Sequence, residues 1–225
     1  QLYRTDKKNP ETNEEAMAIL KIVVKSKTPE IVGRIFSAKI VELALANYPG
    51  WTTQSDIKQG TPFISYWPAL VDSKKIQEHL HFNGETTVIE RENYKEADKK
   101  PNQDIKIEPL PDEEMLEIEF GRIFGTRSGD KGGCANLGVW AKDDDSYRYL
   151  YHFLSVKKLK ELMPDLSEFE IDRYELPNIK SLNFYVRGLL ENGVSSNNRK
   201  DGQAKSLGEY LGVKMIGCPK SLLKK

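Results

Sequence analysis

The sequence predicts an α+β protein made of two small sheet-plus-helix units. Strand-like runs rich in β-branched residues alternate with helical stripes, and a charged, proline-containing stretch separates the two halves. We expect the first unit at 1–91, a linker at 92–116 and the second unit at 117–225. In the second unit, helices on one face of a small sheet would give a layered α+β arrangement.

The first unit is predicted to contain a strand, a helix and a hairpin. The run AILKIVVKS is typical of a strand. Thr28 suits the N-cap of a helix whose apolar stripe ends near Asn47, just before a Pro-Gly pair. Two alternating runs then flank Asn83-Gly84, a pair of residues that favours a tight type I′ turn.

The second unit is predicted in the order β-β-α-β-α-α. EIEFGRIFGT and NLGVWAK indicate two strands, and DDDSYRYLYHFLSVKKLKELM indicates a helix in two pieces, the second capped by Ser155. EFEIDRYEL alternates like a strand, PNIKSLNFYVRGLLENG suggests a helix, and Asp201 suits the cap of a short last helix.

Composition narrows the classes of function and compartment. Lys plus Arg and Asp plus Glu each number 34, so the basic excess typical of nucleic-acid binders is missing. No apolar run approaches the ~20 residues of a membrane helix. No signal-peptide pattern occurs, and Cys134 and Cys218 are expected as free thiols in a reducing compartment, the cytoplasm or, in a eukaryote, the mitochondrial matrix. Because the chain begins with Gln1, we expect a fragment or a processed product.

The stretch TRSGDKGGCANLG, residues 126–138, is the main candidate site. Successive glycines allow backbone N–H groups to converge on an anion, while an arginine adds a forked donor and a lysine a point charge. A phosphate, carboxylate or enolate oxygen would suit such a loop. Neither GxxxxGK[ST] nor GxGxxG occurs, so no dinucleotide site is predicted. The predicted catalytic residues are Asp130 and Lys131, and the predicted ligand contacts here are Arg127, Ser128, Gly129, Gly132, Gly133 and Asn136.

Two alternatives stay open for these residues. The stretch could instead be a surface turn in which Asp130 and Lys131 pair in water. If it is a site, Asn183 and Arg187, on one face of the predicted helix, would face it together with the later loop GVSSNNRKDG. No metal is predicted, because the neighbouring pair His79 and His81 lacks a third ligand at suitable spacing.

Four stretches together resemble the family of the acyclic terpene utilisation protein AtuA. They are RSGDKGGCANLGVWA, YELPNIKSLNFYVRGLLENGVSSNNRKDGQAKSLGEYL, VGRIFSAKIVELALANYPGW and YWPALV. The resemblance implies that 117–225 is a small ferredoxin-like domain and that 1–91 is the tail of a larger N-terminal domain. It also implies a link to breakdown of acyclic terpenes and branched acids through CoA thioesters, but it carries over no catalytic residues.

Two functions follow as hypotheses. One is an enzyme for a hydration, lyase or proton-abstraction step on a CoA thioester or carboxylate, with Asp130 as base. Backbone N–H groups, Arg127 and Lys131 would hold the developing oxyanion. The other is a noncatalytic accessory or oligomerisation module of a larger catabolic complex. The expected partners are a small anionic substrate and either further copies of the chain or other subunits, with no nucleic acid, membrane or identified cofactor.

Overall fold

The computed structural model describes residues 1–46, 50–54, 59–90 and 106–223, with the side chains of 44–46 left undescribed. The chain divides into two compact units, Gln1–Phe63 and Ile64–Lys225. Short antiparallel sheets and helices occur together, so the predicted α+β class is confirmed.

The first compact unit contains little regular structure. Strand β1 (Leu2–Tyr3) pairs antiparallel with β2 (Ile19–Leu20), so the strand predicted from AILKIVVKS is only two residues long. A π-helical turn at Ile31–Ile35 leads into helix α1 (Phe36–Ala46). Residues 29–30 are already helical, so the helix begins directly after Thr28 as predicted. It is kinked before α1, because Gly33 within the π-helical turn has a non-helical backbone (φ −88°, ψ −132°). The predicted end near Asn47 lies outside the described residues.

The predicted Asn-Gly hairpin is present in the second compact unit. Strands β3 (Glu78–Phe82) and β4 (Glu85–Ile89) pair antiparallel, with Phe82 opposite Glu85. Asn83 has φ 49° and Gly84 has φ 83°, the two positive values that a type I′ turn requires.

A four-stranded antiparallel sheet forms the centre of the C-terminal part. It is built of β6 (Phe124–Lys131), β7 (Cys134–Ala141), β8 (Ile171–Leu176) and β9 (Ser181–Val186), in the spatial order β6-β7-β9-β8. A separate pair joins β5 (Met115–Glu119) to β10 (Met215–Pro219). The helices are α2 (Asp144–Phe153), α3 (Val156–Leu162) and α4 (Leu207–Gly212), and shorter 3-10 turns lie at Phe120–Arg122, Pro164–Leu166, Pro177–Ile179 and Lys220–Leu223.

The core lies between one face of this sheet and the helices. Alternate residues of β7 and β9 and one leucine from each helix are fully buried, as a period of two in strands requires. The Ser155 side chain accepts a hydrogen bond from the Lys158 N–H, which confirms the predicted cap of α3. The opposite face of the sheet therefore remains for polar side chains. The fully buried set includes Ala135, Leu137, Val139, Leu182, Phe184, Val186, Leu150, Leu159 and Leu211.

In the C-terminal part, two predicted elements are wrong in kind or extent. The single strand predicted from EIEFGRIFGT is two strands, because the turn at Phe120–Arg122 moves the chain from one sheet to the other. The helix predicted between Pro177 and Gly193 is a 3-10 turn followed by strand β9. Its apolar spacing also fits a helix, but the side chains that pack in β9 alternate with period two.

Part of the predicted linker is packed. Ile107 and Leu110 contact the core, and Arg148 of α2 donates to the carbonyl oxygens of Glu108 (2.8 Å) and Pro109 (2.9 Å). Residues 107–109 thus lie along α2, while the preceding linker residues 91–105 are outside the described part of the chain. No described helix has the length and apolar character needed to cross a membrane.

Candidate functional site

Residues 126–138 form a hairpin rather than the predicted loop. The register runs from Thr126 opposite Val139 to Lys131 opposite Cys134, which leaves only Gly132 and Gly133 as the turn. Gly132 has φ 63°, as expected for the first turn residue of a type II′ hairpin. Successive N–H groups of a strand point in opposite directions, so they do not converge into the predicted nest.

Packing explains why the second residue of the turn, Gly133, is a glycine. A Cβ on Gly133 would lie 2.1 Å from the carbonyl oxygen of Glu191, a distance that only glycine can accommodate. The Leu190 N–H donates to the Gly133 carbonyl oxygen at 2.9 Å. The hairpin tip is therefore fixed against the backbone of the later turn 188–193.

The Ser128 side chain holds a helix in place. Its hydroxyl is buried and accepts a hydrogen bond from the Gly208 N–H in the first turn of α4 (3.1 Å). A Cβ on Gly208 would lie 3.1 Å from the Thr126 Oγ1, so α4 and β6 are in close contact there. Ser128, predicted as a ligand contact, lies inside this packed contact.

Four further candidates, Arg127, Gly129, Asn136 and Asn183, share the face of the sheet opposite the core. Arg127, Gly138 and Asn183 occupy one row across three strands, and Gly129 and Asn136 belong to the next row. The Asn136 Nδ2 donates to the Asn183 Oδ1 at 3.2 Å. Asn183 is thus brought to the first motif as predicted, but by strand register and not by a helical face.

Arg187 is engaged in ion pairs at the end of β9. Its guanidinium lies 2.6 Å from the Asp172 carboxylate and 3.8 Å from that of Glu170. The guanidinium also lies over the Tyr185 ring, 5.7 Å from its centre. Asp172 raises the pKa of Arg187, so this predicted ligand contact has its charge compensated within the sheet.

A cleft of about 670 Å³ opens beside the hairpin tip. One wall is held by a hydrogen bond from the Tyr66 N–H to the Asn192 carbonyl oxygen (2.8 Å). The hairpin tip and Ser195 of the later loop line this cleft together, whereas Asn183 and Arg187 do not line it. The lining residues are Ile64, Tyr66, Pro68, Asp130, Lys131, Gly132, Tyr185, Gly193, Val194 and Ser195.

Comparison with protein families identifies the chain. A model described as the AtuA ferredoxin-like domain matches residues 118–216, and a model described as the acyclic terpene utilisation family protein AtuA matches residues 1–82. The chain belongs to the AtuA family. Searches of curated proteins and of solved structures gave no significant match.

The cleft beside the β6–β7 hairpin contains a carboxylate, an ammonium group and a phenol, from Asp130, Lys131 and Tyr185. The Lys131 Nζ donates to the backbone oxygen of Asp130 at 3.0 Å, and within the described chain it forms no ion pair with the carboxylate. The surface turn in which these two side chains pair is therefore not observed. The pKa of Tyr185 is raised, mainly by a hydrogen bond with the Cys134 thiol and secondly by burial. Its phenol is therefore neutral and can donate a hydrogen bond.

Sequence reasoning missed Tyr66, Tyr185 and Val194 as cleft residues. The two prolines of TPFISYWPALV are typical of an extended segment, and such a segment can present an aromatic ring to a neighbouring surface. The contribution of Tyr185 could not be found while its segment was assigned to a helix. In this AtuA chain, strand register places Tyr185 beside the hairpin.

Proposed function

We propose that this AtuA-family chain is an enzyme of acyclic terpene or branched-chain acyl catabolism. The proposed step is a hydration, lyase or proton-abstraction reaction on a CoA thioester or carboxylate. One observation supports it best: a single cleft joins apolar walls to Asp130, Lys131 and Tyr185. We place the reaction in a reducing compartment, the cytoplasm, because both Cys134 and Cys218 are free thiols.

The cleft fits a branched apolar chain with a polar head. Its volume, about 670 Å³, lies within the range of small-molecule sites. Ile64, Pro68 and Val194 offer aliphatic surface, and Tyr66 offers an aromatic face. Burial of apolar ligand surface contributes about 25 cal/mol per Å², so a methyl-branched chain gains affinity from this lining while its head remains near Lys131.

The charged groups of the cleft support proton transfer next to a carbonyl. Asp130 supplies a carboxylate that can accept the proton from the carbon beside the thioester or carboxylate carbon. The negative charge then develops on the carbonyl oxygen, where a cation and a neutral donor stabilise it. Lys131 supplies the cation and Tyr185 the neutral phenol.

A noncatalytic module is the second candidate, and the exposed apolar side chains of the hairpin β3–β4 favour it. Leu80 is 53% exposed and Phe82 is 69% exposed, although both lie on strands. Such side chains mark surfaces that bind a partner or a further copy. In that case the cleft would bind no acyl ligand.

Deuterium exchange at the acyl α-carbon separates these functions. The full chain is incubated in D₂O with a methyl-branched acyl-CoA, and incorporation is followed by mass spectrometry, alongside titration calorimetry with the same ligand. We expect Asp130→Asn to bind the thioester but to lose exchange, because the carboxylate acts only in the chemical step. Glu168→Gln, an exposed acid-to-amide change away from the cleft, is the matched control and should exchange normally.

Two results would contradict the proposed enzyme. Exchange by Asp130→Asn at the wild-type rate would exclude Asp130 as the base. If the wild-type chain binds no branched acid or thioester, and Val194→Arg at the cleft wall changes nothing, the noncatalytic module is the better description.

A further inference from the structure

We infer a phosphate-binding site on the open face of the sheet, formed by Arg127, Lys131 and Lys205 around Gly129. The inference rests on the proposed function for one point only, that the adjoining cleft holds an apolar chain. It deepens that proposal by naming the ligand as a phosphorylated amphiphile.

Strand geometry and one long side chain place the three cations on the same side of β6. Residues two apart on a strand share a face and are spaced by about 7 Å, so Arg127 and Lys131 flank Gly129 on β6. The Lys205 Nζ lies 3.2 Å from the position that a Cβ on Gly129 would take, with its Cε at 3.9 Å. Because Gly129 has no side chain, Lys205 can lie across this point of the strand.

None of these three cations is neutralised within the described residues. Several other cations of the same unit do have carboxylate partners, such as Arg187 with Asp172 at 2.6 Å and Lys220 with Glu114 at 2.6 Å. No such ion pair involves Arg127, Lys131 or Lys205 in the described chain, and Lys131 contacts only a backbone oxygen. Like charges at this spacing repel, and an anion between them removes that cost.

The position of Lys205 is fixed by its backbone. The Lys205 N–H donates to the Asp201 carboxylate at 2.8 Å, and the adjacent Ser206 N–H donates to the same carboxylate at 2.9 Å. Asn136, directly opposite Gly129 in the register, adds a side-chain amide to the same face.

The chemistry favours phosphate over a single carboxylate. A phosphate monoester carries about −1.5 to −2 charge and three strong acceptor oxygens, which suits two lysines and one forked arginine donor. Lys131 also lines the cleft, so the cluster and the cleft adjoin. An apolar chain in the cleft with its phosphate on the cluster could come from an acyl-CoA or from an isoprenoid diphosphate.

Titration calorimetry of the full chain tests this assignment with five probes. They are inorganic pyrophosphate, CoA, a branched acyl-CoA, an isoprenyl diphosphate and the phosphate-free branched acid. We expect Lys205→Gln and Arg127→Gln each to weaken pyrophosphate binding by about tenfold or more, as loss of a charge-assisted contact does. Lys157→Gln, an exposed lysine change on α3, is the control for net charge and should bind as wild type.

Each pattern of binding results leads to one conclusion about the site. Weaker pyrophosphate binding in Lys205→Gln than in Lys157→Gln supports the site, and whichever of acyl-CoA and isoprenyl diphosphate binds more tightly identifies the source. Equal affinity of these two variants, or no pyrophosphate binding to wild type, overturns the site. If the phosphate-free acid still binds in that case, the proposed function stands without the phosphate site. Pyrophosphate binding without binding of any apolar chain supports the site and contradicts the proposed function.

Discussion

Gly133 lies where the hairpin tip meets the backbone of residues 188–193. A methyl group there would lie 2.1 Å from the Glu191 carbonyl oxygen, so Gly133→Ala forces the two segments apart. We expect a loss of about 1–3 kcal/mol in the free energy of unfolding, as for other overpacked sites. Gly138→Ala, on the same hairpin, is the control, because its nearest contact would be an ordinary 3.6 Å. Equal urea midpoints for both variants would contradict this account.

Ser128 offers a second test at single-residue scale. Ser128→Ala removes the acceptor of the buried Gly208 N–H, and an unpaired buried donor costs about 1–3 kcal/mol. Urea unfolding should show this loss, whereas Ser167→Ala at an exposed position should show almost none. An unchanged midpoint combined with weaker binding of pyrophosphate or acyl-CoA would instead make Ser128 a ligand contact, as the sequence predicted.

The hairpin β3–β4 depends on its turn. Gly84 has φ 83° and no neighbour within 4 Å of its Cβ position, so only backbone strain opposes a side chain there. We expect Gly84→Val to cost on the order of 1 kcal/mol or more and to speed amide hydrogen exchange in 78–82. Gly84→Asn should keep slow exchange, since asparagine tolerates positive φ. Equal exchange in the two variants would argue against the type I′ turn.

The segment entering α4 should respond to acid. Burial opposes ionisation of Asp201, but hydrogen bonds from Ser206 and Lys205 outweigh it and lower the pKa of Asp201 below its ordinary value. A depressed folded pKa stabilises the protein above the unfolded pKa, about 3.9, and this stabilisation is lost as pH falls through the folded pKa.

Urea unfolding across pH measures this contribution. We expect Asp201→Asn to be less stable than wild type near neutral pH, with the gap closing once pH falls below the pKa of Asp201 in the folded protein. Asp112→Asn, an acid-to-amide change at an exposed position, is measured alongside as the control for the loss of one carboxylate. A gap that persists unchanged in strong acid would mean that the carboxylate charge is unimportant there.

Elements with local signals could be predicted, and those decided by neighbours could not. The cap at Ser155 and the Asn83-Gly84 turn each depend on a few adjacent residues, and both predictions are confirmed. Strand β9 carries an apolar spacing that fits either a helix or a strand. Pairing with β7 and β8 decides between them, and that pairing is not encoded in the local sequence.

At the scale of the whole molecule, the candidate site illustrates the same limit. The sequence directed attention to Asp130, Lys131 and Arg127, which do lie at the cleft or on the open face. Their neighbours Tyr66 and Lys205 come from distant parts of the chain. Only the folded arrangement of strands, turns and α4 brings those residues together, so composition and spacing could not identify them.

The distribution of the core predicts how the chain unfolds. All buried apolar side chains among the described residues lie between Phe120 and Leu222, and none of the described side chains in 1–90 is buried. Each buried large apolar side chain contributes about 1.5–3 kcal/mol, so the cooperative free energy of unfolding should reside in the C-terminal part. We expect fragment 106–225 to unfold in urea with the midpoint of the full chain, and fragment 1–90 to show no cooperative transition.

Leu137→Ala is the variant that tests whether the full chain and fragment 106–225 unfold the same core. Leu137 is fully buried in β7, and its truncation should cost about 2–5 kcal/mol. The midpoint should fall equally in the full chain and in 106–225, because both unfold the same core. Circular dichroism in urea measures both forms of the full chain, both forms of 106–225 and the fragment 1–90. A clearly lower midpoint for 106–225 than for the full chain, or a cooperative transition in 1–90, would show that the N-terminal half contributes stability that its exposed side chains do not account for.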